Sequence, residues 1–212
     1  MGLFNRSKKT VTPAAVAPTA TIATEPTSSF VSDISGDYAL DASHSRLGFS
    51  ARHAMVTKVR GNFEEFEGTA HVDTTTPANS TVNVTIQAGS VTTGNEQRDG
   101  HLKTPDFFDI ENHPTITFTS TNVVRDGSEW AITGDLTING VTKPVTIDFE
   151  ETGSAKDPYG NTRIGFEGST TIDRTDWNLN FNAALETGGV LVSEKVKVEF
   201  DISAIAQVPA AV

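Results

Sequence analysis

No cysteine occurs among the 212 residues, which excludes a disulfide framework, a thiolate nucleophile and a Cys-based zinc site. Cations are scarce: 16 Lys and Arg stand against 27 Asp and Glu, for a net charge of −11. Such a chain repels nucleic-acid phosphates rather than gathering them, so nucleic acid is excluded as a partner. No apolar run approaches the roughly eighteen residues of a membrane span. The longest uncharged part of the N-terminal arm, residues 10–24, is broken by Pro13 and Pro18 and rich in Thr and Ala. It reads as neither a span nor a secretory leader. The histidines His44, His53, His71, His101 and His113 show no compact ligand spacing, and there is no Gly-x-Ser-x-Gly elbow, phosphate loop or dinucleotide fingerprint. The expectation is a soluble cytoplasmic chain with no metal, no cofactor and no hydrolytic or nucleotide chemistry.

What is present is alternation. Residues 10–35 are mostly Thr, Ala, Pro and Ser, which bury too little surface to offset the entropy of ordering, so residues 1–35 are expected to be a disordered arm. From about Asp37 the period is two, as in Leu47/Phe49/Ala51, Val82/Val84/Ile86, Ile116/Phe118, Ile132/Leu136/Ile138, Val145/Ile147/Phe149 and Val196/Val198/Phe200/Ile202. That pattern gives antiparallel strands with one dry face, and no helix-period stripe is long enough to cover it, so the sheet must stack or close on itself. Asn139-Gly140 between two such rows predicts a two-residue hairpin, because both central residues of a type I′ turn need positive φ. Several runs are about ten residues long, roughly 30 Å of strand at ~3.3 Å per residue, so a barrel built from them is deep. The domain is set at residues 36–206, with a tail at 207–212.

The exception to alternation is residues 92–108, which pack two basic and three acidic side chains, a histidine and Phe107-Phe108 between two strands. A connection so loaded is seldom mere spacing. Thr93 or Asn95 can cap a short helix there and Pro105 end it, forming a cap over one barrel end. Arg98, Asp99 and His101 carry two readings: a grip on the polar head of a lipid, or an Arg98–Asp99 ion pair pinning the cap to the rim. His53 continues the Leu47/Phe49/Ala51 row, either to the mouth or as an interior histidine. Trp177 and Phe181 are ligand contacts or plain core. At the start of the arm Arg6, Lys8 and Lys9 flank Leu3 and Phe4, which suits either a weak membrane-surface contact through residues 1–9 or a solubilising linker.

Five motifs in order carry a resemblance: Asp41-Ala-Ser-His-Ser-Arg-Leu-Gly-Phe49, Val59-Arg-Gly-Asn-Phe63, the 92–108 segment, His113-Pro-Thr-Ile-Thr-Phe118 and Gly134-Asp-Leu-Thr-Ile-Asn-Gly-Val-Thr-Lys-Pro144. Over residues 36–206 the chain resembles the YceI family of polyisoprenoid-binding proteins. The resemblance implies an all-β, lipocalin-like antiparallel barrel of about eight strands whose interior holds an isoprenoid chain. Its tunnel would be lined by Leu47, Phe49, Val84, Ile86, Phe118, Leu136, Ile147, Phe166, Trp177, Phe181 and Phe200, with a polar mouth of His53, Asn95, Arg98 and His101. The function so implied is a carrier or sequestering protein for a long-chain isoprenoid, of quinone or prenyl phosphate type. An enzyme acting on an isoprenoid lipid and a filled barrel serving as an interaction module are the rival readings, and a homodimer is a further partner class.

Overall fold

The structure, a computed structural model, describes residues 33–186 and 188–207. It contains strands β1 (Gly36–Leu40), β2 (Arg46–His53), β3 (Thr57–Phe63), β4 (Phe66–Val72), β5 (Thr81–Gln87), β6 (Val91–Thr92), β7 (Thr115–Asp126), β8 (Glu129–Ile138), β9 (Val141–Lys156), β10 (Thr162–Asp173) and β11 (Val192–Ala206), with helix α1 (Glu96–Leu102) after β6. All neighbours are antiparallel, and β1 pairs with β11 to close the sheet on itself.

The eleven segments make eight staves. β1 lies against residues 204–206 of β11, and β2 against residues 192–201 of the same strand, so β1 and β2 are halves of one stave. β3 and β4 form a second stave, broken at Glu64-Glu65, and β5 and β6 a third, broken at Ala88–Ser90. Polar side chains hold the breaks. Asp41 Oδ1 accepts from the Ser43 amide and hydroxyl at 3.1 and 2.6 Å, and Arg163 donates to Asp41 Oδ2. The Ser90 hydroxyl accepts from the amides of Glu64 and Glu65 at 3.2 and 3.0 Å and donates to the Gln87 carbonyl at 2.7 Å, so one side chain serves two breaks. These bonds satisfy backbone groups that the interrupted ladders leave over.

The Asn139-Gly140 turn forms as expected, with φ of 48° and 72°. Beyond the breaks, β5 pairs with β7 but β6 does not. Helix α1 and residues 103–114 cover that opening, with Asn95 Oδ1 capping the Arg98 amide at 2.9 Å.

Each end of the barrel carries an apolar plug. At one, Ile34 packs with Tyr38, Val72, Val123, Trp130, Ile164 and Ala204. At the other, the cap end, Phe107, Ile116, Ile138, Trp177 and Leu179 pack together. Ile34 is 2% exposed, and the Tyr38 hydroxyl donates to its carbonyl at 2.9 Å. The fold therefore begins before residue 36, and the arm boundary expected at residue 35 is corrected: one isoleucine between Asp33 and Ser35, just ahead of Gly36, starts no period-two row. The disorder expected of residues 1–32, and the tail residues 208–212, lie outside the described residues.

Candidate functional site: an apolar lumen

Between the plugs runs a cavity of about 280 Å³. On β10 its lining extends from Ile164 to Ile172, which at ~3.3 Å per residue and a strand tilt near 40° is a depth of roughly 20 Å. The inward rows of every long strand contribute. Leu47 and Phe49 on β2, Val84 and Ile86 on β5, Phe118, Leu136, Ile147, Phe166 and Phe200 on β7 to β11, and Trp177 all line it. Phe181 does not. Its ring centroid stands 4.7 Å from that of His101 and 5.3 Å from that of Phe107, in the cap.

Three wall phenylalanines lie over inward glycines of the neighbouring strand: Phe49 on Gly61, Phe118 on Gly134 and Phe149 on Gly168. An aromatic ring needs an unobstructed partner to lie flat against a sheet, and glycine supplies it. Rings so placed widen the lumen rather than fill it.

The polar mouth expected from His53, Asn95, Arg98 and His101 is not assembled; none of the four lines the cavity. His53 ends β2 exposed, beyond the last lining position of that strand, because the barrel wall stops there. Asn95 is spent on capping α1. Arg98 donates from Nε to the Thr93 hydroxyl at 2.7 Å and from Nη2 to the Thr93 carbonyl at 3.0 Å, while Asp99 accepts from the Thr93 amide and hydroxyl. The pin to the rim thus runs through Thr93, not through an Arg98–Asp99 ion pair. These bonds hold the Asp99 carboxyl below its ordinary range against the opposing effect of burial, which is the largest single influence on it. His101 Nε2 is 2.8 Å from Asp106, not Asp99, and its ring stands edge-on to Phe107 and Phe181.

Two basic side chains among the described residues do reach the lining: His71, paired with Asp37 at 2.7 Å, and Arg174, 5% exposed; Arg174 is the buried one. Its guanidinium donates to the carbonyls of Ser193 at 3.0 Å, Val192 at 3.2 Å and Leu179, and among the described residues no carboxylate lies within ion-pair distance. Burial pulls its pKa below the usual arginine value, with Glu194 and Asp173 opposing. Arg174 continues the inward row Phe166/Gly168/Thr170/Ile172, so a cation on a dry register was the signal available in the sequence. Trp177, in the same turn, donates its indole N–H to the Leu136 carbonyl at 3.0 Å. Among the described residues no buried side-chain N or O lacks a partner, and no group of three His, Asp or Glu is placed to hold a metal. The lumen therefore offers a guest apolar contact and asks nothing polar of it.

Residues 38–204 match the YceI-like domain model. Protein YceI of Escherichia coli O157:H7 is 43% identical over 150 residues, covering 70% of this chain and 78% of that one. A crystal structure of the Campylobacter jejuni YceI protein superposes with a TM-score of 0.64 at 30% identity, covering 74% of this chain and 90% of that one. A polyisoprenoid binding domain from Saccharophagus degradans shares the fold, with a TM-score of 0.61 at 21% identity over 80% of this chain and 98% of that domain. With the barrel, the motif order and the family match in agreement, the chain belongs to the YceI-like domain family.

Proposed function

We propose that the barrel takes the hydrocarbon tail of a long-chain isoprenoid lipid, of quinone or prenyl phosphate type, into its lumen and carries or sequesters it. The observation that carries this reading is the lumen itself. Voids opened in protein cores cost about 24 cal/mol per Å³, so 280 Å³ left unfilled would cost ~7 kcal/mol, as much as the whole net stability of many domains. A tail removes that penalty. Burying on the order of 400 Å² of tail at ~25 cal/mol per Å² contributes ~10 kcal/mol before ordering and translational costs.

The fold kinship with a polyisoprenoid binding domain supports the tail chemistry. The saturated wall hydrogen bonds support selection by length and cross-section rather than by polar groups. Entry is at the cap end, where side-chain bonds and α1, rather than a strand ladder, complete the wall between β6 and β7.

The deciding experiment is organic extraction of the purified protein followed by mass spectrometry. A near-stoichiometric isoprenoid amphiphile is expected. Protein that yields no lipid and takes up none from an isoprenoid mixture would establish a filled barrel, while turnover of the bound lipid would establish an enzyme.

A further inference from the structure

The outer faces of β2, β3 and the facing part of β11 carry Arg46, Arg52, Lys58, Arg60, Lys195 and Lys197, at positions alternating with the lumen row. Lys195 and Lys197 pair with Asp173 and Glu199 at 3.2 and 2.9 Å. Among the described residues the other four have no carboxylate within ion-pair distance, and the Arg46 guanidinium lies across the bare surface of Gly48. On a chain of net charge −11 this is a cation-rich patch, although Glu199 and Asp201 share the outer row of β11 and Asp201 stands opposite Arg46. The larger acidic cluster lies on β8 to β10 and meets the patch at Lys197 and Glu199: Glu129 stands opposite Glu150, and Glu150 opposite Glu167, with Asp148 beside them. The barrel is thereby dipolar across its girth.

The cationic face ends in an apolar tip. Arg52 and Lys58 are cross-strand partners, and the turn immediately beyond them presents Met55 and Val56, 57% and 76% exposed. Ala54 and Met55 both hold positive φ, 49° and 61°, which is uncommon for residues other than glycine. The tip meets the segment leading into β11: the Ala54 amide donates to the Leu191 carbonyl at 2.7 Å, and Met55 abuts Gly189. The next residue, Val192, lines the lumen. The tip thus adjoins the cap end of the cavity.

We propose that this face docks the barrel on an anionic lipid bilayer, with Met55 and Val56 in the interface, the lateral cations against lipid headgroups and the cap end tilted toward the membrane; this rests on the reading that the lumen takes a lipid tail. Two apolar side chains projecting beyond a collar of cations are the arrangement of an interfacial anchor. Two residues are far too few for the roughly 800 Å² that each partner of a stable protein interface buries. The acidic side is turned away from the surface, so the dipole orients the barrel on approach.

The test is sedimentation of the full chain with phosphatidylcholine vesicles, with and without phosphatidylglycerol. Binding to the anionic vesicles alone is expected, fading with salt as the Debye length shrinks below about 8 Å. The double variant Arg52→Glu/Lys58→Glu is expected to bind at least about tenfold more weakly, since each cation near such a surface contributes on the order of 1 kcal/mol. Lys58→Glu alone should weaken binding well beyond Lys156→Glu, which makes the same charge change at the opposite end. Met55→Ser/Val56→Ser should weaken it at constant charge. Extracted lipid and thermal midpoint, measured on the same preparations, are expected to be unchanged, which separates lost docking from a lost fold; absence of lipid from the parent protein would instead strike the lumen reading. The proposal is overturned if patch and tip variants bind like the parent, or if only Arg6→Glu/Lys8→Glu/Lys9→Glu abolishes binding. It is equally overturned if Arg52→Glu/Lys58→Glu dissociates a dimer while the parent ignores vesicles, because the cationic face would then meet the acidic face of a second copy.

Discussion

Phe149 on β9 and Gly168 on β10 are direct cross-strand partners, and the phenyl ring occupies the place where a side chain at 168 would stand. A β-carbon there would lie 2.7 Å from Cε1 and 2.8 Å from Cγ, and its nearest neighbours are all atoms of that ring. The glycine holds the ring against the wall, and the wall position of the ring leaves the lumen wide.

Gly168→Ala is therefore expected to swing Phe149 into the lumen. Overpacking of this kind costs about 1–3 kcal/mol, to be read as a lowered thermal midpoint, and the displaced ring should also reduce extracted lipid. Gly168→Ala/Phe149→Leu should recover both. Loss of stability without rescue by the smaller side chain would place the strain in the backbone instead.

Filling the lumen separates a container from a core. Ala51 faces the cavity from β2, and Ala51→Phe adds apolar volume where a guest would lie. The expected outcome is a lipid-free protein at least as stable as the extracted parent, because the added ring replaces missing contacts. A marked fall in midpoint would show that no room exists at this level.

The barrel was legible in the sequence because alternation reports which face of a strand is dry, and the two-residue turn at Asn139-Gly140 reports where a strand reverses. The three stave breaks were not legible: whether Asp41 or Ser90 holds an interruption depends on partners distant in sequence, such as Arg163 and the amides of Glu64 and Glu65. The wall residues Phe118, Ile147 and Phe200 could be placed because an inward register is a local property. The polar mouth could not. Arg98 and His101 read as a charged cluster on a connection, yet their hydrogen bonds turn inward on the cap. Arg174 lies in plain register with Ile172, but a single cation after a strand carries no motif.

Arg174 is expected to behave as a clamp on residues 179–193. Arg174→Ala takes the donor from the Ser193 and Leu179 carbonyls, while Val192 keeps the Asn182 amide at 2.9 Å, and unmet buried acceptors cost about 1–3 kcal/mol each where water cannot reach them. The midpoint should fall, and amide exchange across residues 179–193 should quicken ahead of the rest of the barrel. Arg174→Lys should rescue little, since a single ammonium cannot span carbonyls that the planar guanidinium bridges. Equal exchange in parent and Ala variant would remove the clamp.

Acid should loosen the end opposite the cap through Arg163, which donates to Asp41 at 2.5 Å and to Asp157 at 3.0 Å. Asn161, with help from Arg163 and the amide of Tyr159, brings the Asp157 carboxyl down from 3.8 to about 2. Ser43 foremost, then Arg163, holds Asp41 well below the usual carboxylate range. Carboxyls depressed in the folded state bind protons more readily once unfolded. Their contribution is therefore fully present above the unfolded value near ~3.9 and is lost as pH falls through the folded values. The window for Asp157 runs from about pH 4 to about pH 2, and Asp41 extends it downward. Thermal midpoints of parent and Arg163→Gln should converge as pH drops through that window, because the variant has already lost the cation that favours both charged forms. Curves that stay parallel from neutral pH to pH 2 would show that Arg163 contributes packing rather than charge.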